Sequence, residues 1–489
     1  MTNTKIKVKP DSDVDKKSWL ESHEHGYAKN LKNRHVQMIA LGGAIGTGLF
    51  LGAGSRLHTA GPGLAVAYLV CGLFAFLILR ALGELIMHRP SSGSFVSYTR
   101  EFMGEKVAYV AGWMYFLVWA TTGVVDITAI AIYMKYWNMF SDVPQWFFAL
   151  SALGLVTLLN MVGVKWFGEM EFWFAVIKVA AIGTFLAVGT FFFATGHEIA
   201  GHQPGLDLIF NNGGIFPNGV LPAIIIMQGV VFAYASIELV GTAAGETENP
   251  KKVLPKAING VIWRIGLFYV GSVVLLVTVL PWTMYEANVS PFVTFFGALG
   301  VPGIGTVMNI VVLTAALSSL NSGLYATGRV LRSLAMGGSA PKSLAAMNSQ
   351  GVPFKGIILT VAINAIGVLL NYLIPSQIFE LMLNVAALGV LSTWGFIVLS
   401  QIYFRRAVKR GEVEAVEFKM PGAPYTSWLT LGFLLVVLVM IGFDYPNGTY
   451  TLLMIPVIAI ALMWGWSRTA HVKNKKPEGR VVPEVTVLK

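Results

Sequence analysis

A helix that spans the hydrocarbon core of a bilayer needs about 20 predominantly apolar residues. Runs of that kind recur along this chain at roughly 36–60, 62–87, 108–137, 145–164, 168–195, 220–245, 261–283, 303–333, 355–374, 379–402, 426–444 and 449–467, numbered here segments 1 to 12. In hydrocarbon each backbone amide and carbonyl must find its partner inside the protein, so a continuous apolar run of this length is satisfied as a helix. The expected fold is therefore an all-α integral membrane protein with about 12 transmembrane helices. The composition agrees. Of the 489 residues, 55% are hydrophobic and 12% charged, whereas soluble domains carry about 25% charged residues. Too little polar surface is available to cover a water-soluble globule of this size.

The net charge of +10 raises nucleic acid as a partner. The position of the charge argues against it, because the basic residues lie between the apolar runs. Nearly all Lys and Arg fall in the termini and the even-numbered loops, among them Lys251, Lys252, Lys256, Arg329, Arg332, Arg405, Arg406, Lys409 and Arg410. Arg56 and Lys135 fall on the other side, and Arg80 and Lys178 lie within segments. Basic loops stay in the cytoplasm, so both termini are expected there. Residues 1–34 read as a polar tail without a cleavable signal. A single cysteine, Cys71, excludes an intramolecular disulfide and a cysteine-based metal cluster.

Segment 1 contains the stretch LGGAIGTGLF, with Gly42, Gly43, Gly46 and Gly48 in its middle. Glycine is about 1 kcal/mol worse than alanine in a helix interior. Gly42 and Gly46 form a GxxxG pair, which serves close helix packing. The alternative is a break, which is tolerated at membrane depth only where the backbone lines a protein cavity. Spacing alone leaves the two readings level. Segment 6 decides between them, because it is interrupted in turn by ASIELVGTAAG. Segments 3 and 8 are both unusually long, and each pair stands five segments apart. An odd offset makes a second five-helix unit enter from the opposite face, the pattern of an inverted repeat with discontinuous first helices. The expected division is a tail at 1–34, repeats at 35–200 and 215–402, a cytoplasmic loop at 403–425, two added helices at 426–467 and a tail at 468–489.

A broken helix offers amides of partial positive charge at the start of its second half, suited to a carboxylate. Free carbonyls at the end of its first half suit an ammonium. Together these hold both ends of an α-amino acid. The expected carboxylate site is the amides of Gly46, Thr47 and Gly48. The ammonium site is the carbonyls of Gly43, Ala44 and Ile45 with those of Phe232, Ala233, Tyr234 and Ala235. Thr121, Thr122, Ser236 and Asn384 would face the substrate side chain.

Ionisable groups inside a membrane cost at least about 2.5–3.5 kcal/mol and mark function by default. Lys178 lies mid-segment in AVIKVAAI, Glu238 in YASIELVG and Asp126 in TGVVDITAI. Each has a structural alternative. Lys178 can pair with backbone carbonyls, Glu238 can hold the break by hydrogen bonds, and Asp126 can pair with a cation. Arg80 and Glu84 stand four apart and suit an intrahelical pair or part of an inner gate. His88, His197 and His202 fall in loops. Neither an HExxH pattern nor a G-x-S-x-G elbow in a strand-to-helix context is found, so no enzyme, metal or cofactor is expected.

The motifs GGAIGTGLFLGAG in segment 1, GELIMHRPSSGSF after segment 2, FWFAVIKV in segment 5, FAYASIELVGTAAGETENP across segment 6 and LSSLNSGLYATGR in segment 8 cover nearly the whole chain in order. Together they resemble the amino acid–polyamine–organocation superfamily, and within it the bacterial amino acid transporter family. The resemblance implies a leucine-transporter-like 5+5 inverted repeat plus two helices, in a bacterial cytoplasmic (inner) membrane. It also implies proton-coupled uptake of an amino acid, with L-asparagine the expected substrate. Lys178 matches the lysine that fills the sodium site of related sodium-coupled carriers, near the segment 1 break and Ser318 or Ser319. Glu238 matches a coupling or gating carboxylate. An aromatic in the region of Phe232 and Tyr234 closes over substrate in such carriers. The expected partners are an amino acid, protons and the lipid bilayer. A permease or exchanger for another neutral amino acid stays open. So does an amino-acid-sensing receptor, although a receptor would need a long signalling tail.

Overall fold

The computed structural model describes residues 45–91, 94–162, 164–239, 241 and 250–473. Among them the regular elements are helical, and the one β feature is an isolated bridge between Ile199 and His202. Among the described residues, eight helices are long and apolar enough to cross a membrane: Gly63–His88, Glu105–Met134, Phe167–Thr195, Leu254–Val279, Ile304–Met336, Phe354–Leu373, Ile378–Lys409 and Asn447–Thr469. They occupy segments 2, 3, 5, 7, 8, 9, 10 and 12. The shorter apolar helices Gln145–Met161, Val220–Ala233 and Tyr425–Ile441 occupy segments 4, 6 and 11.

Burial sorts these helices into centre and rim. The apolar stretch of segment 3 is 89% buried inside the protein, against 22% for segment 5 and 11% for segment 12. Segment 3 is apolar on every side and packs chiefly on segments 8 and 10, as a core helix must. Hydrocarbon gives no hydrophobic drive between helices, so close fit around small residues holds them together. A Cβ on Gly367 of segment 9 would stand 2.6 Å from Val124 of segment 3, and one on Gly389 of segment 10 would stand 2.7 Å from Val118. The rim carries Leu158, Trp173, Phe191, Leu453, Ile460 and Met463 exposed, which is the surface a bilayer solvates.

Apart from short turns and the four-residue Asp207–Phe210, two described helices lie outside the expected segments. The amphipathic Ser94–Met103 packs under segments 3 and 10, and Pro291–Ala298 precedes segment 8. Proline at the first helical position suits that second start, since its missing amide hydrogen would have no helical partner there. The helix of segment 7 begins at Pro250 and changes to a π-turn over Ile265–Gly271. That of segment 10 runs on to Lys409, because its Arg405 finds a partner described below.

Both glycine-marked segments depart from helical geometry within the described residues. Segment 1 is extended at Gly46 (φ −130°, ψ −162°) and helical from Thr47. Segment 6 is helical to Ala233, then turns through residues 234–238. Ser236 there has φ +78°, a left-handed conformation uncommon for a residue with a side chain. A helix cannot pass through that dihedral, so the interruption is local and sharp.

Candidate functional site

The two interruptions meet. A Cβ on Gly48 would lie 2.6 Å from the Cα of Ala233, so only glycine lets the backbones come this close. Gly46 sits nearby, 3.8 Å from the Ser319 hydroxyl by the same measure. The amides of Leu49 and Phe50 both return to the Gly46 carbonyl. Helical geometry leaves the amides of Thr47 and Gly48, at the very start, without intrahelical acceptors. Ile45 is buried beside them, and Gly43 and Ala44 lie outside the described residues.

On the segment 6 side, the Phe232 carbonyl accepts from the Ala235 amide at 2.9 Å. The Ala233 carbonyl accepts from the Tyr269 hydroxyl at 3.3 Å. Tyr269 belongs to the π-turn of segment 7, and π-turns often accompany functional sites. Tyr234 donates its hydroxyl to the Tyr68 carbonyl at 2.9 Å. Its ring stands 4.6 Å from that of Tyr269 and 5.8 Å from that of Tyr68. Tyr234 therefore ties the interruption to segments 2 and 7.

Thr47 donates its hydroxyl to Asp126 Oδ1 at 2.9 Å, and both residues are buried. The middle of segment 3 is thereby joined to the start of the interrupted helix. Glu238, also buried, lies at the far end of the segment 6 turn, beside Trp394 of segment 10 and Tyr115 of segment 3. Thr121 spends its hydroxyl hydrogen on carbonyls of its own helix, with Leu117 O at 2.7 Å and Val118 O at 3.1 Å. The buried Thr122 hydroxyl has no partner among the described residues. Ser236 supplies the left-handed turn itself.

Lys178 is fully enclosed, and its Nζ donates to Ser318 Oγ at 3.0 Å. That hydroxyl in turn donates to Glu171 Oε1 at 2.7 Å. Lys178 also feels the charge of Asp126, which links this cluster to the segment 1 interruption. Sequence reasoning passed over Glu171. The available signal was its spacing, since residues seven apart on a helix lie two turns apart on one face.

Asn384 joins a separate network. Its Nδ2 donates to Asp444 Oδ2 at 2.7 Å, and Gln228 Nε2 donates to the same oxygen at 3.1 Å. Gln228 and Asp444 were also missed, because nothing local ties segments 6, 10 and 11 together. Arg56, one of the few basic residues placed on the outer side, is buried. It donates to the Gly52 carbonyl at 2.6 Å and to Glu380 Oε2 at 3.3 Å. Its guanidinium fills the space a side chain at Gly229 would take.

The expected Arg80–Glu84 pair is replaced. Glu84 accepts from Arg405 Nε at 2.8 Å and Nη2 at 3.0 Å, from Gln401 at 2.9 Å and from the Met420 amide at 3.0 Å. Arg80 instead donates to Asn259 and the Lys419 carbonyl and covers the Phe418 ring. A bidentate arginine between helices outcompetes a spacing that merely permits contact.

These features define a multi-pass helical membrane protein whose enclosed polar centre gathers the helix start at Thr47 and the turn after Ala233. The chain belongs to the amino acid permease family, whose model matches residues 35–480. Its relatives include a protein named L-asparagine permease in Salmonella typhimurium strain LT2, 64% identical over 97% of this chain and 96% of that one. Another of that name in Escherichia coli K12 is 64% identical over 96% of this chain and 94% of its own. A third, in Streptomyces coelicolor, is 56% identical over 92% and 93%. A permease is a transporter rather than an enzyme, and amino acid transport is the activity of the family.

Proposed function

We propose that the chain imports L-asparagine by proton symport with alternating access, as a leucine-transporter-like 5+5 inverted repeat with two added helices. The observation that carries the reading is the contact of Gly48 with Ala233. It sets helix-start amides beside a turn rich in carbonyls, which suits the two charged ends of an α-amino acid. The carboxylate binds the amides of Gly46, Thr47 and Gly48. The ammonium binds carbonyls of Gly43 to Ile45 and of Phe232 to Ala235. The names of the relatives support asparagine as the substrate.

Thr122 offers an open hydroxyl to the side-chain amide, and Thr121 and Ser236 are further polar groups for it. Asn384 acts with Gln228 and Asp444. Lys178 is the coupling residue. Protonated, it holds segment 5 to Ser318 of segment 8, and deprotonated it releases that contact. Glu238 and Asp126 complete the set of ionisable groups available to a proton. Both termini face the cytoplasm of a bacterium and the helices cross its inner membrane. On that orientation Arg56–Glu380 closes the outer side and Glu84–Arg405 the inner.

Purified protein in liposomes tests the reading. Labelled asparagine should accumulate when the outside is acidified and stay at equilibrium without a gradient. Competition by each other amino acid then ranks substrates. Accumulation that ignores the pH gradient would refute symport, and a stronger competitor would replace asparagine as the substrate.

A further inference from the structure

We propose that Glu171 is the group onto which Lys178 discharges its proton, with the Ser318 hydroxyl as relay and a cleft beside Phe167 as outlet. The proposal rests on the coupling role given to Lys178 above and adds the route.

The geometry is that of a relay. Lys178 Nζ and Glu171 Oε1 stand 3.9 Å apart, too far for the direct hydrogen bond of an ammonium and a carboxylate, which closes at about 2.7–2.9 Å. The Ser318 hydroxyl occupies the gap, accepting from Lys178 at 3.0 Å and donating to Glu171 at 2.7 Å. Both hydrogen bonds already point from lysine to glutamate. In the transfer an N–H bond of the ammonium breaks as an O–H bond forms on Ser318. The former Ser318 O–H bond breaks as an O–H bond forms on Glu171. An ammonium and a carboxylate become an amine and a carboxylic acid, Ser318 ends as it began, and the net charge is unchanged. A neutral pair is easier to hold in an enclosed site than a separated ion pair. Lys178 also feels the charge of Asp126, which is hydrogen-bonded to Thr47 of segment 1 at 2.9 Å and to Ser319 of segment 8.

The outlet begins at Glu171. Its second oxygen, Oε2, is buried with no partner among the described residues. One helical turn back along segment 5, Phe167 stacks on Tyr325 of segment 8 with ring centroids 3.8 Å apart. These two rings, with Asn160 and Arg329, line a small, partly open cleft. On segment 8 the polar positions continue at turn spacing from Ser318 through Asn321 and Tyr325 to Arg329. Asn321 accepts from Asn160 at 2.7 Å, and Arg329 lies over the Tyr325 ring. The cleft lies toward the ends of these helices that carry the basic residues Arg329 and Arg332, the cytoplasmic face in the proposed orientation. A proton leaving Glu171 in that direction completes an inward passage.

The test is the ratio of protons to asparagine moved, measured in liposomes with a trapped pH-sensitive dye and labelled substrate. A ratio is independent of how much protein folds. Glu171→Gln and Ser318→Ala should each lower it at least fivefold, and Glu171→Asp, which keeps the acid, should restore at least half. If Glu171→Gln does not insert, Ser318→Ala carries the test, since it removes one hydroxyl and little volume. A wild-type ratio in the Gln or Ala variant, or no recovery in the Asp variant, overturns the relay. A wild-type protein that moves asparagine without protons overturns instead the coupling reading beneath it.

Discussion

Thr47 and Asp126 share a buried hydrogen bond of 2.9 Å that joins the first residue of an interrupted helix to the middle of the most buried one. The bond keeps the Thr47 amide at a fixed place against segment 3. Thr47→Val removes one of the donors to the buried Asp126 carboxylate, a loss of about 1–3 kcal/mol. Substrate affinity should fall roughly tenfold, one decade per about 1.4 kcal/mol. Thr47→Pro also removes the amide hydrogen and should abolish binding while insertion persists. Scintillation proximity binding on purified protein measures both, and wild-type affinity in the proline variant would contradict the amide site.

Gly48 and Gly46 should respond differently to the same change. In Gly48→Ala the new carbon would meet the Ala233 backbone at 2.6 Å, whereas in Gly46→Ala it would meet the Ser319 side chain at an ordinary 3.8 Å. Overpacking of a fitted site costs about 1–3 kcal/mol. Thermal unfolding in detergent should show Gly48→Ala melting well below wild type, with at least tenfold weaker binding. Gly46→Ala should stay near wild type in melting temperature. Equal melting for the two variants would mean that the Gly48–Ala233 approach is not tight.

Asn384→Leu should weaken asparagine transport more than alanine transport. Only the carboxamide side chain needs the polar groups that Asn384 holds in place through Asp444 and Gln228. Leucine would leave Asp444 with one donor fewer, again a loss of about 1–3 kcal/mol. Thr121→Val should act in the same direction but more weakly, since that hydroxyl already bonds its own helix. Competition uptake with both amino acids is the measurement, and an equal loss for both would remove Asn384 from side-chain recognition.

At the end of segment 2, Glu101 bonds His88 at 2.9 Å and Arg89 at 2.8 Å. Burial raises its carboxyl pKa, but the His88 and Arg89 interactions together outweigh this and hold it below the usual range. A depressed carboxylate stabilises the fold above its unfolded pKa of about 4.3. That contribution is lost as pH falls through the lower folded value. Glu101→Gln should therefore lower the melting temperature slightly at pH 7, by a partly exposed pair's worth of about 1 kcal/mol or less. The difference from wild type should shrink below pH 4. A gap that stays constant down to pH 3 would show that the charge of Glu101 is irrelevant.

The apolar segments were legible because the bilayer imposes one length on them, and the departures from helix at Gly46 and after Ala233 fall where small residues cluster. Most of the polar centre was not. Glu84 and Arg405 lie 321 residues apart and Lys178 and Ser318 140, and no local pattern records such a meeting. Proximity in sequence misled for Arg80, which turned to Asn259 and Lys419. Lys178 stood out as a lone charge in an apolar run, whereas Glu171 shares its stretch with Glu169 and does not stand alone.

The fit of Gly48 on Ala233, and of Arg56 in the space left by Gly229, clamps segments 1 and 6 together at two levels. In the proposed binding mode one of these segments grips the carboxylate and both grip the ammonium. Jaws mounted on a single frame make a caliper of fixed gauge. An α-amino acid carries both charged groups on one carbon and matches that gauge whatever its side chain. A β-amino acid sets them one carbon further apart and cannot close both grips at once. Tolerance toward side chains and intolerance toward backbone length would then share one origin, the pair of glycines that let two helices touch.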